Sequence, residues 1–418
     1  MKTAAVSSRL RYANYKAELA GKRMSLIRQY IKGDRIIWTV ILVLFMISLL
    51  SVYSSTGSLA YKNMSGDTMY YLFRQFKFIL LGFLTIVVVH LIPFRYYNWL
   101  AGIAIFIAVP LLLYTLIYGK DLNEASRWLY IPGMGSRTFQ PSEFAKVALI
   151  MYIARVLAVN QNNISDFKGV FLKLIIAISL VCILILPANL STAAIIFTVA
   201  FVLMFVGRVP ARYLFMIVVT GAAGLAIFLL VSNAMSSEGR ITTWKNRIET
   251  FVSGEGDNFQ ANQAKVAIVR GGFLPNGPGT STQRNLLPHP YSDFIFAIII
   301  EEYGSIIGGV LLIILYLWLL FRTGVIVRRS KSTFGAFLAF GLALGLVFQA
   351  FVNMGVTVGL LPVTGQTLPL VSMGGTSVIF TSMSLGMILS VSWGIKKDIE
   401  EEEALQNEEV ANEQSAEI

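Results

Sequence analysis

Cysteine, histidine and charged side chains are scarce in this 418-residue chain, which has one cysteine, two histidines and 14% charged residues. The single cysteine, Cys182, excludes an internal disulfide, and its place in an apolar run indicates burial as a small hydrophobic side chain. So few histidines and cysteines argue against a zinc site, which usually needs about four nitrogen or sulfur ligands. A soluble domain carries roughly 25% charged residues, so this composition excludes an ordinary soluble protein.

Apolar residues are abundant instead, at 56% of the chain, and the mean hydropathy is +0.68. These values indicate a polytopic membrane protein. The formal charge of +11 comes from basic residues beside apolar runs, where they orient a membrane protein, so no nucleic-acid partner is expected. The first 35 residues are polar and basic, and no cleavable signal peptide is evident in them.

Ten runs are long and apolar enough to cross a bilayer, which takes about 20 residues in a helix. The predicted fold class is therefore an all-α polytopic membrane protein with ten transmembrane helices. Around Pro187 and Asn189 the pattern allows either a very short turn between two spans or a break within one long element. The predicted spans are 36–56, 76–92, 98–118, 141–159, 170–187, 189–207, 212–233, 291–321, 333–361 and 370–394.

The basic residues predict the orientation of these spans. An even number of spans places both termini on one side, and that side holds most of the Lys and Arg, so it is predicted to be cytoplasmic. The chain then divides into a basic N-terminal tail (1–35), a membrane domain (36–394) and an acidic C-terminal tail (395–418) that is expected to be disordered.

Two long loops are predicted on the outer side. One covers 119–140, and the other covers about 234–290, between spans seven and eight. Loops of this length are usually functional or disordered. The larger one is too apolar for a solvated linker and is expected to pack over the outer membrane face.

Acids and bases gather at the same predicted outer end. Asp293 lies at the start of the eighth span, and Glu143 and Lys146 lie at the start of the fourth, three residues apart and therefore on one helix face. Ionisable side chains at membrane depth are functional candidates by default. For Glu143 with Lys146, a structural ion pair explains the pattern as well as a functional role does. Cations in the two outer loops complete the group: Arg127, Arg137, Arg240, Lys245 and Arg247.

Two further acids follow Asp293 on its helix. Glu301 is eight residues further along, about 12 Å up the axis and roughly 80° round, so it is the better candidate to share a cavity with Asp293. Glu302 points nearly opposite and is expected to pair with another helix. Structural pairing is the simpler explanation for both glutamates.

One acid among several cations at the outer membrane face indicates chemistry on a phosphorylated lipid. Arg and Lys suit phosphate, and a carboxylate can act as general base toward a sugar hydroxyl. Glycosyl transfer from a lipid pyrophosphate fits these residues, and so does transport of such a lipid. Composition alone does not choose between the enzyme and the transporter.

Four separated motifs resemble the SEDS family (shape, elongation, division and sporulation), over about residues 36–394. The third and fourth are more similar to the division branch, FtsW, than to the elongation branch, RodA. The motifs are SRWLYIPGMGSRTFQPSEFAK (126–146), RITTWKNRIETF (240–251), GPGTSTQRNLLPHPYSDFIFAIIIEEYG (277–304) and LLPVTGQTLPLVSMGGTS (360–377).

The resemblance implies ten transmembrane helices and polymerisation of lipid II into glycan strands at the outer face of the cytoplasmic membrane. It also implies a class B penicillin-binding transpeptidase and other divisome proteins as partners, at the division septum. Asp293 would then be the family's essential aspartate, which deprotonates the 4-hydroxyl of the acceptor N-acetylglucosamine. Glu143 and Lys146 match the family's charged pair, in which Lys146 would hold Asp293 or the donor pyrophosphate.

The resemblance also implies substrate-binding positions, and one position departs from it. Where relatives commonly have an acid, this chain has Asn189, so a carboxylate role is lost there. No metal motif is visible, but a divalent cation (Mg²⁺ or Mn²⁺) bridging Asp293, Glu301 and pyrophosphate is conceivable. A lipid II flippase, an elongation polymerase and a non-enzymatic scaffold remain as alternatives. The candidate substrate-binding residues are Arg127, Trp128, Arg240, Arg247 and Glu301.

Overall fold

A computed structural model of the chain describes residues 32–63, 67–121, 126–130, 138–234, 247, 249–253 and 259–416. The predicted basic tail up to residue 31 therefore lies outside the described residues. The described part contains thirteen long or short α-helices, three short strands, and short 3-10 and π-helical segments at Gln161–Asn163, Phe167–Phe171, Gln283–Asn285 and Gly304–Val310. The helices are α1 (Arg35–Ser55), α2 (Gly57–Asn63), α3 (Thr68–Leu91), α4 (Phe94–Tyr118), α5 (Pro141–Val159), α6 (Leu172–Ile185), α7 (Leu190–Val206), α8 (Ala211–Ala234), α9 (Phe259–Gly271), α10 (Ile295–Tyr303), α11 (Leu311–Arg329), α12 (Thr333–Thr357) and α13 (Gly375–Ala416).

Among the described residues, seven helical stretches are long and apolar enough to cross a membrane. Two shorter apolar helices, Leu190–Val206 and Ala211–Ile227, accompany them. The expectation of a helical membrane protein is thereby confirmed. The helix α5 also lies at a predicted span, and it carries Glu143, Lys146 and Arg155.

The second span was predicted at 76–92, but the helix there, α3, already starts at Thr68. Polar residues in its first turns hide the helix from a hydropathy reading, whereas Arg, Gln and Lys are good helix formers. Asp67 caps the start, where its carboxylate accepts hydrogen bonds from the backbone N–H of Met69 (2.9 Å) and Tyr70 (3.3 Å). The helix therefore projects beyond its apolar run.

The structure also decides between the two alternatives at Pro187. The helix α6 ends at Ile185 and α7 begins at Leu190, with a tight turn between them. Asn189 is the N-cap of α7, and its side-chain oxygen accepts from the backbone N–H of Thr192 at 3.3 Å. An asparagine suits this capping position, so the segment is a short turn between two helices.

The two long loops contain regular structure that the sequence did not predict. In the first, β2 (Ser126–Tyr130) pairs antiparallel with β1 (Lys120–Asp121) and with β3 (Thr138–Phe139). In the second, α9 packs on α10 through Ala264 and Ala267, which are fully buried. At the end of α9, a Cβ on Gly271 would collide with the backbone carbonyl of Ile300. This close approach fixes part of the larger loop on the helix that follows Asp293.

The C-terminal tail is helical, whereas its composition predicted disorder. The helix α13 continues without a break from the membrane domain to Ala416. Eight residues of the tail are Glu, three are Ala and two are Gln, and all three types are good helix formers. A segment too polar to build a core of its own can still extend a helix that is already nucleated.

Candidate functional site

Asp293 lies in the turn that leads into α10 and is half-buried. The hydroxyl of Ser292 donates to its Oδ1 at 2.8 Å. The pKa of Tyr291 is raised, mainly by burial and further by the charges of Tyr71 and Asp293. Arg74 has the opposite, smaller effect on this pKa. The carboxylate therefore lies at a helix entrance among groups from several elements.

The segment between α12 and α13 covers this turn. Its backbone N–H at Met373 donates to the carbonyl of Tyr291 (2.9 Å), and the hydroxyl of Ser372 donates to the carbonyl of Ser292 (2.6 Å). Gly365, with φ of 65°, faces the acid, since a Cβ there would lie 3.6 Å from Oδ2 of Asp293. The backbone of Gly365 therefore lies next to the carboxylate, with no side chain between them.

A buried asparagine fixes the backbone of Asp293. The side-chain amide of Asn353, on α12, donates to the carbonyl of Asp293 at 2.8 Å and to the carbonyl of Gln366 at 2.7 Å. Asn353 is 1% exposed. Both donor hydrogens of the amide are therefore used to join the turn before α10 to the covering segment.

One helical turn earlier on α12, Gln349 joins the buried side chain of Lys146 to the covering segment. Its Oε1 accepts from Nζ of Lys146 at 2.7 Å, while its Nε2 donates to the carbonyl of Thr367 at 3.0 Å. Gln349 and Asn353 are spaced i, i+4, so they lie on one face of α12. Two amides on one helix face thus tie Lys146 and Asp293 to neighbouring peptides, at Thr367 and Gln366.

Glu143 and Lys146 form the expected pair on α5. The ammonium lies 2.9 Å from Oε2 of Glu143, and the two residues are 5% and 7% exposed. Such burial demands a partner for each charge. The contacts of Lys146 are with Glu143 and Gln349, and among the described residues it makes no ion pair with Asp293. The role of Lys146 toward Asp293 or pyrophosphate stays a prediction.

Asn189, the departure from the family pattern, belongs to the same polar framework. The amide of Gln366 donates to Oγ1 of Thr192 at 3.0 Å and to Oδ1 of Asn189 at 3.5 Å. The peptide of Gln366 is also the one held by Asn353. A neutral asparagine therefore supports the covering segment through hydrogen bonds, without a carboxylate.

The other predicted substrate-binding residues are placed unequally. Arg247 is exposed, and its Nη1 donates to the carbonyl of Val363 at 3.2 Å. Local desolvation lowers the pKa of Arg247, and the negative charge of Asp293 opposes that shift, so Arg247 lies near the acid. Trp128 is half-buried in β2, where it pairs with Lys120. Arg127 lies in the same strand, its side chain outside the described part, and Arg240 lies outside the described residues.

Glu301 lies against the 281–283 loop, in a structural role, and not in the cavity with Asp293 that its helical spacing suggested. Its carboxylate accepts from the hydroxyl of Ser281, from the backbone N–H (3.1 Å) and hydroxyl (3.2 Å) of Thr282, and from the backbone N–H of Gln283 (3.4 Å). It is 3% exposed. These contacts are those of a loop anchor, since they satisfy the carboxylate within the protein. The structure does not bring Glu301 together with Asp293.

Glu302 pairs with another helix, as its direction suggested. The hydroxyl of Ser54, on α1, donates to Oε1 of Glu302, and Arg284 donates to the carbonyl (3.1 Å) and hydroxyl (3.2 Å) of the same serine. Both glutamates therefore fasten the 277–285 loop.

The donor set gives little support to a bridging metal. Within the part of the chain that the structure describes, His, Cys, Asp and Glu form no group of three or more that could hold a metal ion. The carboxylate of Glu301 is committed to Ser281, Thr282 and Gln283. Protein donors thus occupy the carboxylate of Glu301, and the divalent cation stays a prediction.

The sequence reasoning missed the amides of α12 and the covering segment. Gln349, Asn353 and Gln366 are all buried. A usable signal existed, because two amides four residues apart in an otherwise apolar helix must hydrogen-bond within the protein. Their partners are backbone carbonyls, which sequence patterns do not reveal.

Comparison with known proteins decides the family. Residues 34–397 match the family described as "Cell cycle protein", which groups FtsW, RodA and SpoVE. The chain belongs to this family. The predicted SEDS membership is thereby confirmed over most of the chain.

Individual members of the FtsW/RodA/SpoVE family are similar over nearly their whole length. The chain is 31% identical over 375 residues to a Saccharophagus degradans protein named probable peptidoglycan glycosyltransferase FtsW, covering 88% of this chain and 94% of that one. It is 33% identical over 366 residues to stage V sporulation protein E of Bacillus subtilis, covering 86% and 96%. A chain solved within a peptidoglycan synthase complex that coordinates polymerization and crosslinking superposes with a TM-score of 0.68 at 26% identity, covering 87% and 98%.

Proposed function

We propose that this protein is a peptidoglycan glycosyltransferase that polymerises lipid II into glycan strands, with Asp293 as the general base. The observation that carries the proposal is the arrangement of Asn353 and Gln349, which hold Asp293 and the buried Lys146 on one polar framework. The family membership and the names of the relatives support the reaction class.

The chemistry follows from the placement of charge. The carboxylate of Asp293 takes the proton of the acceptor 4-hydroxyl as that oxygen forms a bond to the anomeric carbon of the donor. The bond from this carbon to the lipid pyrophosphate breaks, and the leaving group departs with the bonding electrons. Cations stabilise that developing charge. Arg247 lies near enough to interact with Asp293, and Lys146, paired with Glu143, belongs to the same polar framework.

The topology proposed with this function has ten membrane-spanning helices. The seven long apolar stretches and the two shorter apolar helices are joined by α5, whose charges Glu143 and Lys146 are neutralised as a pair. Both termini are then cytoplasmic, because the basic loops lie on that side. Asp293 faces the outside of the cytoplasmic membrane, where the 234–290 loop forms the large outer loop.

A class B penicillin-binding transpeptidase is the proposed partner, together with other divisome proteins at the septum. The structural neighbour belongs to a complex that couples polymerization to crosslinking. Relatives with division and sporulation names favour the division branch over the elongation branch.

The test uses purified full-length protein with its transpeptidase partner and lipid II in detergent, where transport is not needed. Wild type is expected to form glycan polymer. Asp293→Asn is expected to lose roughly 10²- to 10⁴-fold in rate, the usual contribution of a general base. Asp67→Asn is the matched control, since it neutralises an exposed acid at another helix start and keeps a capping side chain.

The alternatives give different outcomes in this assay. Equal polymer from wild type and Asp293→Asn would refute the base assignment. A flippase or a scaffold would give no polymer from wild type. A scaffold would in addition retain function in cells with every charge variant that still binds the transpeptidase.

A further inference from the structure

A cleft of about 230 Å³ lies beside Asp293, between the α9 region and the end of α12. Its walls come from three separate parts of the chain: the residues around Arg247, the first turns of α9, and residues 359–363 at the start of the covering segment. None of its lining residues is a membrane-embedded side chain of a long apolar helix. The cleft is therefore a feature of the loop layer.

Two cations line this cleft. Among its described lining residues, Arg247 and Lys265 are the charged ones and none is an acid, and Asn262 and Thr250 add polar groups. Lys265 is exposed on α9, so its charge remains available to a ligand at the surface. A pocket with two positive charges, polar neighbours and no carboxylate in its wall suits an anion.

A glycine makes room for the lysine. Gly359 has φ of 82°, and a Cβ on it would lie 2.5 Å from Cε and 3.1 Å from Nζ of Lys265. The side chain of Lys265 therefore lies directly against the backbone at Gly359. This contact directs the ammonium along the cleft wall rather than away from the protein.

The cleft wall continues to the acid. Arg247 donates to the carbonyl of Val363, and Gly365, two residues further on, faces Oδ2 of Asp293. Two extended residues span at most about 7 Å. In glycosyl transfer the leaving phosphate is bonded to the carbon that the acceptor attacks, so it must lie close to the base.

We propose that the cleft between Arg247 and Lys265 binds the pyrophosphate of the polyprenyl-linked substrate, with Lys265 as a further binding residue. The inference rests on the proposed function, because it assigns a substrate group to the same site. The pyrophosphate is preferred over the carboxylates of a stem peptide because of its fixed proximity to the reacting carbon.

The experiment measures binding and turnover separately on the full-length protein in detergent. Inorganic pyrophosphate is the binding probe, followed by calorimetry, and glutarate represents a peptide-like dicarboxylate. Lys265→Gln is expected to weaken pyrophosphate binding and to raise KM for lipid II by roughly tenfold, which corresponds to about 1.4 kcal/mol, with kcat little changed. Lys265→Arg should retain most of the binding, since it keeps the charge.

The matched control is Lys168→Gln, which removes an exposed lysine on the opposite, predicted cytoplasmic side. Equal pyrophosphate binding by Lys265→Gln and Lys168→Gln, or no binding by wild type, would overturn the proposal. Tighter binding of glutarate than pyrophosphate would also overturn it, in favour of a peptide site. Lysine-dependent pyrophosphate binding in a protein that makes no polymer would uphold the cleft and refute the proposed function instead.

Discussion

Asp293 and Glu301 are eight residues apart on one segment, yet they have opposite surroundings. Glu301 is buried, and its carboxylate is satisfied by Ser281, Thr282 and Gln283. Asp293 is half-buried, and its backbone is held by Asn353, while its carboxylate faces a glycine. Loop donors therefore hold the side chain of Glu301, whereas a buried amide holds the main chain of Asp293 and Ser292 donates to its carboxylate.

That difference separates a structural acid from a reactive one. A carboxylate that accepts several hydrogen bonds from the protein has few lone pairs left for a substrate. A carboxylate whose main chain is fixed keeps its position, and in the proposed function its side chain takes the proton. Burial alone would have ranked Glu301 above Asp293 as a functional candidate.

The largest effect is expected at the buried ion pair that accompanies Asp293. Lys146→Ala should abolish polymerisation and destabilise the protein by about 3–5 kcal/mol, because Glu143 is left buried without its partner. Lys146→Arg should rescue poorly, since a planar fork does not replace a point charge. Thermal unfolding in detergent and the polymerisation assay measure the two effects.

A double variant separates the roles of this pair. Lys146→Ala with Glu143→Gln removes the uncompensated charge, so it should recover stability relative to Lys146→Ala alone. If activity stays lost, the lysine has a functional role. Recovery of activity together with stability would reduce the pair to packing.

At the structural acid, the stability effect should be clear and the catalytic effect indirect. Glu301→Gln replaces charge-assisted hydrogen bonds, which contribute about 1.5–3 kcal/mol each, and it places an amide against backbone donors. We expect a lower melting temperature and faster proteolysis within 277–285. Asp67→Asn, at an exposed acid whose capping side chain is kept, is the control and should change neither. Loss of polymerisation at full stability would instead place Glu301 in the reaction.

The support of Asp293 can be tested at α12. Asn353→Ala leaves two buried carbonyls without their donor, which costs about 1–3 kcal/mol, and it frees the turn at Asp293. The expected result is a lower kcat with KM nearly unchanged. Ser390→Ala is the control, because Ser390 is a buried donor to the carbonyl of Ile92, after the end of α3 on the predicted cytoplasmic side. An equal fall in kcat for both variants would make the effect one of general stability.

The smallest effect concerns the glycine that faces the carboxylate. Gly365→Ala introduces left-handed strain of about 1–2 kcal/mol and places a methyl group in contact with Asp293. Gly272→Ala is the matched control, since Gly272 has a similar φ of 59° and open space around its Cβ position. Both should lose similar stability, and only Gly365→Ala should lose activity. Parallel losses of activity would show that the space beside Asp293 is not used.

The membrane helices were largely predictable because apolar run length is a local property. Errors arose where helix propensity and hydrophobicity give different boundaries for a helix. Polar residues at the start of α3 concealed eight residues of helix, and the acidic tail was expected to be disordered although it extends α13 to Ala416. The strands of the first long loop and the helix α9 in the second carried no clear periodic signal.

The candidate site was predictable in part for a related reason. The i, i+3 spacing of Glu143 and Lys146 gave their pairing directly, since it depends on one helix. The position of Glu301 could not be read from helix geometry, because the loop of Ser281–Gln283 folds back over it from outside the helix. Arg247 meets the covering segment only through the folding of a long loop.

The sequence by itself determined that the chain is a helical membrane protein with costly charges at one end of its spans, because hydrophobicity and helical spacing are local. Only the tertiary structure decided which acid is enclosed by a loop and which lies half-buried at a helix entrance. That choice depends on backbone carbonyls and loop hydroxyls brought together across more than fifty residues, as between Asn353 and Asp293. Hydrogen-bond partners so distant in the chain are fixed by packing, and no local pattern encodes them.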